Sequence, residues 1–182
     1  MYRLITGGAR SGKSLYAESL YQELNEVVYL ASYIFDLDDL EMCERIRQHQ
    51  EQRNSNWQTK EVDYHLNVTA DYLLFDCLAV FTSNVLYKYS YNLEYISNEL
   101  NETIYHHLIK EIDCLFANNS NIIIVSNEVG SGLVPINHLE RVYRDLLGRI
   151  NRYVASKCDE VYLVVCGQPL KIKGGSENEN AN

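Results

Sequence analysis

Gly7-Gly8-Ala9-Arg10-Ser11-Gly12-Lys13-Ser14 fills every fixed position of the pattern G-x-x-x-x-G-K-[ST]. It stands between an apolar run, Tyr2–Thr6, and a helix-like stretch that begins near residue 13. Strand, glycine loop and helix is the context in which this pattern makes a phosphate site. The glycines let successive backbone N–H groups converge on one point at a helix N-terminus, where they meet phosphate oxygens. Lys13 is placed to reach the β- and γ-phosphates of a nucleoside triphosphate, and Ser14 to hold Mg²⁺ through its hydroxyl.

The loop demands a sheet behind it, and the rest of the chain reads as one. Further apolar runs at Val27–Ala31, Tyr72–Phe75, Ile122–Val125 and Val161–Val165 alternate with helix-like stretches near 13–24, 38–53, 78–89, 93–117 and 138–157. Such alternation predicts parallel βαβ units. Strands that are apolar throughout are covered on both faces, so the expected class is a three-layer α/β fold with a mostly parallel sheet. Trp57–Val62 is a candidate edge strand. Residues 1–173 are expected to form a single domain, and the polar run 174–182 a disordered tail.

Composition narrows the partners. The net charge of −9 argues against non-specific binding to nucleic acid or to an anionic membrane. No run of about 18 apolar residues offers a membrane span, and the short apolar start is unlike a signal peptide. The five cysteines are dispersed, without a C-x-x-C pair, which fits reduced thiols in the cytoplasm.

Two further features bear on chemistry. Asp76 closes the apolar run Tyr72–Phe75, where a carboxylate could be the second metal ligand of a triphosphate site or could cap the next helix. Arg45, His49 and Arg53 are spaced i, i+4, i+8 within Arg45-Ile46-Arg47-Gln48-His49-Gln50-Glu51-Gln52-Arg53, so an imidazole is bracketed by guanidiniums on one helix face. Like charge keeps the ring neutral and nucleophilic, and the arginines can fork onto phosphate. A solvated charged face would carry the same pattern. His65, His106, His107 and His138 show no partner spacing and read as surface or helix residues.

In order along the chain stand Gly7–Ser14, the His49 segment followed by Trp57-x-Thr59-x-Glu61, Leu74-Phe75-Asp76-Cys77-Leu78 with Ser83-Asn84, and Ser126-Asn127-Glu128-Val129-Gly130 running on to Pro135. Arg144-Asp145-x-x-Gly148-x-x-Asn151 and Leu163-Val164-Val165 follow. This succession resembles the bifunctional adenosylcobinamide kinase/adenosylcobinamide-phosphate guanylyltransferases of cobalamin nucleotide-loop assembly, from residue 1 to about 173. The resemblance implies a RecA-like P-loop fold, ATP and GTP as substrates with Mg²⁺, and adenosylcobinamide and its phosphate as acceptors. It implies a homotrimer.

By the same resemblance His49 is the guanylylated residue. Gly7, Gly8, Ala9, Arg10, Ser11, Gly12, Lys13 and Ser14 hold phosphates. Ala31, Ser32, Tyr33, Gln50, Glu51, Gln52, Arg53, Glu61 and Asp76 contact the guanine nucleotide. Asp76 is thereby claimed both as metal ligand, with Ser14, and as reader of the base. Glu128, after the apolar run that ends at Val125, is the candidate for orienting or deprotonating the substrate hydroxyl, against a helix-start acid or a plain loop carboxylate. Asn54, where the family usually has proline, and Arg152, where glutamine is commoner, depart from the pattern.

Overall fold

Alternate side chains of the central strands enter two different cores, which is why those strands read as unbroken apolar runs. The computed structural model describes residues 1–32, 54 and 56–175. Its strands are β1 (Tyr2–Gly7), β2 (Val27–Ala31), β3 (Gln58–Glu61), β4 (Tyr72–Asp76), β5 (Ile122–Asn127), β6 (Glu160–Val165) and β7 (Gln168–Lys173). The helices are α1 (Lys13–Ser19), α2 (Leu78–Ser90), α3 (Asn98–Asn118) and α4 (His138–Lys157). Leu4, Leu73, Phe75, Ile122 and Ile124 pack with residues of α2, α3 and α4. Their neighbours Ile5, Leu74, Ile123 and Val125 pack instead with Ala17 of α1, Tyr21 and Trp57. The sheet is therefore the middle of three layers, as expected.

The seven strands lie in the order β3-β2-β4-β5-β1-β6-β7. All pairs are parallel except β6 with β7. One strand, β5, separates the glycine-loop strand β1 from the strand that ends in Asp76. Trp57–Val62 does contain an edge strand, β3. Strand β7 escaped the sequence reading. Its turn has positive φ at both Cys166 and Gly167, the form that joins adjacent antiparallel strands through two residues.

Helix ends differ from the expected ones for local reasons. Helix α3 begins at Asn98 rather than 93 because the Ser97 hydroxyl accepts from Leu100 N–H and caps it. Helix α1 stops at Ser19 and passes into tight turns in which Tyr21 N–H donates to Glu18 and Leu24 N–H to Tyr21. Asn137 caps α4, whose Leu146, Ile150 and Val154 are fully buried, as their spacing predicts. The expected helix at 38–53 and the polar run from residue 176 fall outside the described residues. None of the described helices is long and apolar enough to cross a membrane.

Candidate functional site

Strand register gathers most of the candidate residues on one rim. Gly7 at the end of β1 stands beside Asn127 of β5 and Val164 of β6. Asp76 is paired with Val125 on one side and Ala31 on the other, and Ala31 is paired with Glu61. The C-terminal ends of β1 to β5 thus form a continuous row, the edge where ligands of open parallel sheets collect. At about 4.8 Å per strand spacing, Asp76 lies roughly 10 Å from β1 along that row, and Glu61 roughly 19 Å.

The glycine loop is built against the β6–β7 turn. Gly12 has φ +91°, and a Cβ there would come within 3.1 Å of the Gly167 Cα. Gly167 N–H donates to the Ser11 carbonyl at 2.8 Å, so the turn buttresses the loop. A Cβ on Gly7 would lie 2.5 Å from the Val164 carbonyl oxygen and 2.6 Å from Ser11 Oγ, so this close approach of strands and loop requires glycine. Lys13 Nζ donates to the Gly8 carbonyl at 3.1 Å, which lays the ammonium across its own loop. The buried Ser11 hydroxyl has no hydrogen-bond partner among the described residues. A polar atom in that position is suited to a phosphate oxygen.

Asp76 does not cap the following helix, which was one reading of its position. Cys77 does so, its Sγ accepting from Val80 N–H. Burial pushes the Cys77 thiol up to about 12, so it is a neutral cap and not a nucleophile. Asp76 Oδ2 accepts instead from the Tyr29 hydroxyl at 2.7 Å. The buried Ser32 Oγ donates to the Cys77 carbonyl and accepts from Cys77 N–H at 3.0 Å, which ties the ends of β2 and β4 together. The roles of Tyr29 and Ser32 in fixing Asp76 depend on which strands are neighbours and were not readable from spacing.

Glu128 sits immediately beside the glycine loop, its N–H donating to the Gly7 carbonyl at 3.0 Å. Its Oε1 accepts from Gly130 N–H at 2.6 Å. Asn151 of α4 accepts from the buried Ser126 hydroxyl and donates to the Asn127 carbonyl, so it holds the strand end that carries Glu128. Arg144 donates to the Gly130 carbonyl and Arg141 to those of Pro135 and Ile136. Asn151 and Arg144 belong to a motif whose spacing was visible but whose task was not. Tyr33, His49, Gln50, Glu51, Gln52 and Arg53 lie outside the described residues.

A mostly parallel sheet with a glycine loop after its first strand, an acid one strand removed and a further carboxylate beside the loop defines a P-loop nucleotide-binding protein. The family model described as cobinamide kinase / cobinamide phosphate guanyltransferase matches residues 3–172, and the chain belongs to that family. It is similar to the bifunctional adenosylcobalamin biosynthesis protein CobU of Salmonella typhimurium, with 38% identity covering 95% of this chain and 100% of the relative. The CobU protein of Escherichia coli is 36% identical with the same coverage. The bifunctional protein CobP of Pseudomonas aeruginosa is 35% identical over 96% of this chain and 98% of its own length. A KaiC-like protein of Pyrococcus horikoshii is a remote structural likeness, with 15% identity, a TM-score of 0.43, and coverage of 89% of this chain and 71% of that one.

Proposed function

We propose that this chain carries out both reactions for which its family is named, using the rim at the ends of β1 to β5. In the first, the aminopropanol hydroxyl of adenosylcobinamide attacks the γ-phosphorus of ATP or GTP. The bond to the bridging oxygen breaks and the nucleoside diphosphate leaves. The amides of Gly7–Ser14 and the Lys13 ammonium hold the phosphates, and Glu128 orients the hydroxyl and takes its proton. Ser14 and Asp76 offer a hydroxyl and a carboxylate, hard oxygen donors suited to Mg²⁺, which neutralises phosphate charge when bound.

In the second reaction a ring nitrogen of His49 attacks the α-phosphorus of GTP and pyrophosphate leaves. A phosphate oxygen of adenosylcobinamide phosphate then displaces the imidazole, giving adenosylcobinamide-GDP and restoring the histidine. Splitting the transfer suits an imidazole, which both attacks and leaves phosphorus readily. Ala31, Ser32, Tyr33, Gln50, Glu51, Gln52, Arg53 and Glu61 are the residues proposed to contact the nucleotide. A carboxylate facing the guanine N1–H and 2-amino group would discriminate against adenine, because an unpaired buried acceptor costs about 1–3 kcal/mol.

The observation that carries this reading is the register that sets Gly7, Asp76, Ala31 and Glu61 on one edge. The apolar side chains of Leu133, Val134 and Ile136 are exposed on the loop that follows Glu128 and offer a surface to a corrin ring. Val165, Leu170 and Ile172 are exposed on the β6–β7 hairpin, which supports self-association as a homotrimer. The free thiols of Cys77, Cys114, Cys158 and Cys166 suit a cytoplasmic enzyme.

Incubation with α-labelled GTP is the direct test. The expected product is an acid-labile, base-stable adduct on the protein, absent from His49→Ala. Labelling that persists in that variant removes His49 from the reaction. A separate kinase assay with adenosylcobinamide reads the first step independently.

A further inference from the structure

Away from the nucleotide rim, the connection from β3 to β4 crosses α3 at a cluster that the proposed chemistry does not use. Glu111 is a carboxylate of α3 with only 9% of its surface exposed. Its Oε2 accepts from Leu66 N–H at 2.9 Å, and its Oε1 stands 3.1 Å from His65 Nδ1. His107 is one helical turn earlier on the same face, at i and i+4 from Glu111. Its ring is 5.9 Å from that of His65 between centroids. One donor atom from each of the three residues falls within 4.8 Å of the others.

We propose that His65, His107 and Glu111 form a binding site for a divalent transition-metal ion, Zn²⁺ by its ligand chemistry. Two imidazoles and a carboxylate suit Zn²⁺, whereas Mg²⁺ and Ca²⁺ favour all-oxygen sites. Three protein ligands leave the fourth position to water. Zn–N and Zn–O bonds near 2.1 Å put tetrahedral ligands about 3.4 Å apart, so the donors close in by about 1.4 Å at most. His65, with 64% of its side chain exposed, is the least confined of the three.

Outer contacts already orient two of the ligands. Leu66 N–H fixes the Glu111 carboxylate. The Tyr64 carbonyl lies 3.3 Å from His107 Nε2, and the Tyr89 hydroxyl 3.3 Å from its Nδ1. Each ring nitrogen of His107 thus has a neighbour, so a metal bound at either one displaces that contact while the other still holds the ring. Residues 64–66 thus supply one ligand and the supports of the other two, and the ion acts as a clamp between this connection and α3. A plain hydrogen-bonded cluster is the alternative.

Tag-free full-length protein, stripped with a chelator and then freed of it, is titrated with Zn²⁺ against a chromophoric competitor and, in parallel, with Co²⁺. The expected result is one equivalent bound, with the intense visible absorption of four-coordinate Co²⁺ and a metal-dependent rise in melting temperature. His65→Ala, at an exposed position, and Glu111→Gln, which can still accept from Leu66, should each weaken binding by at least about tenfold, the low end of what even an outer-shell partner contributes. Lack of stoichiometric uptake by the parent chain overturns the proposal, as does uptake by His65→Ala that matches the parent.

Discussion

A methyl group at position 12 would meet two obstacles at once: a backbone φ of +91° that L side chains avoid, and the Gly167 backbone 3.1 Å away. Strain of this kind costs on the order of 1–3 kcal/mol. Gly12→Ala is therefore expected to lower the melting temperature by several degrees and to weaken triphosphate binding at least about tenfold, since the loop amides can no longer converge. Thermal denaturation and titration with a fluorescent GTP analogue measure the two effects. A variant with unchanged binding would mean that the loop does not grip phosphate. Much of this site was legible residue by residue, because a glycine loop is a local device whose backbone angles are written into its own sequence. Tyr29 on Asp76 and Ser32 on Cys77 were not, because each pair is more than 40 residues apart in sequence and meets only when β2 and β4 lie side by side.

Glu160 on β6 ties three strands into one element. Its carboxylate accepts from Arg3 of β1 at 2.6 Å and from Lys171 of β7 at 2.7 Å. Burial pushes the Glu160 carboxyl up, but hydrogen bonds from Lys171 and Arg3 outweigh it and hold the group down at about 2. A carboxylate with a lowered folded-state pKa stabilises the fold above its ordinary value of 4.5, and that stability is lost as pH falls from there toward about 2. Glu160→Gln should be less stable than the parent by about 1 kcal/mol at pH 7, the upper end for ion pairs that water partly screens. The difference should shrink between pH 4.5 and 2 in urea unfolding curves. Equal stability at pH 7 would show that β7 is held by its backbone ladder alone. Strand β7 carried legible signals, a glycine turn and the alternation of Leu170-Lys171-Ile172-Lys173, but they lay past the last unbroken apolar run. An edge strand need not be apolar on both faces, so it escapes a reading tuned to buried parallel strands.

At the scale of the whole molecule, one nucleotide is expected to touch the ends of several strands that are remote in sequence. A ligand that binds only the assembled rim stabilises the fold by about 2.7 kcal/mol at a hundred times its Kd. In a chain of 182 residues this corresponds to a rise of roughly 5–10 °C in melting temperature with GTP and Mg²⁺. Lys13→Ala should lose most of that rise while melting normally by itself, because its ammonium bonds only the Gly8 carbonyl among the described residues. A full shift in Lys13→Ala would place the nucleotide elsewhere. The exposed Leu170 and Ile172 bear on assembly, and sedimentation equilibrium is expected to give the mass of three chains; a single-chain mass would remove the homotrimer from the proposal.

The linear chain determined the class of fold, the phosphate loop, the acid at the end of β4 and the family, because periodicity, glycine placement and local motifs act over a few residues. Which ends stand together was decided in three dimensions. Strand order and register are set by packing between segments far apart in the chain, and those contacts place Glu128 against Gly7, Tyr29 on Asp76 and the β6–β7 turn on Gly12. They also bring His65 to His107 and Glu111, a meeting for which the sequence held only half the pattern.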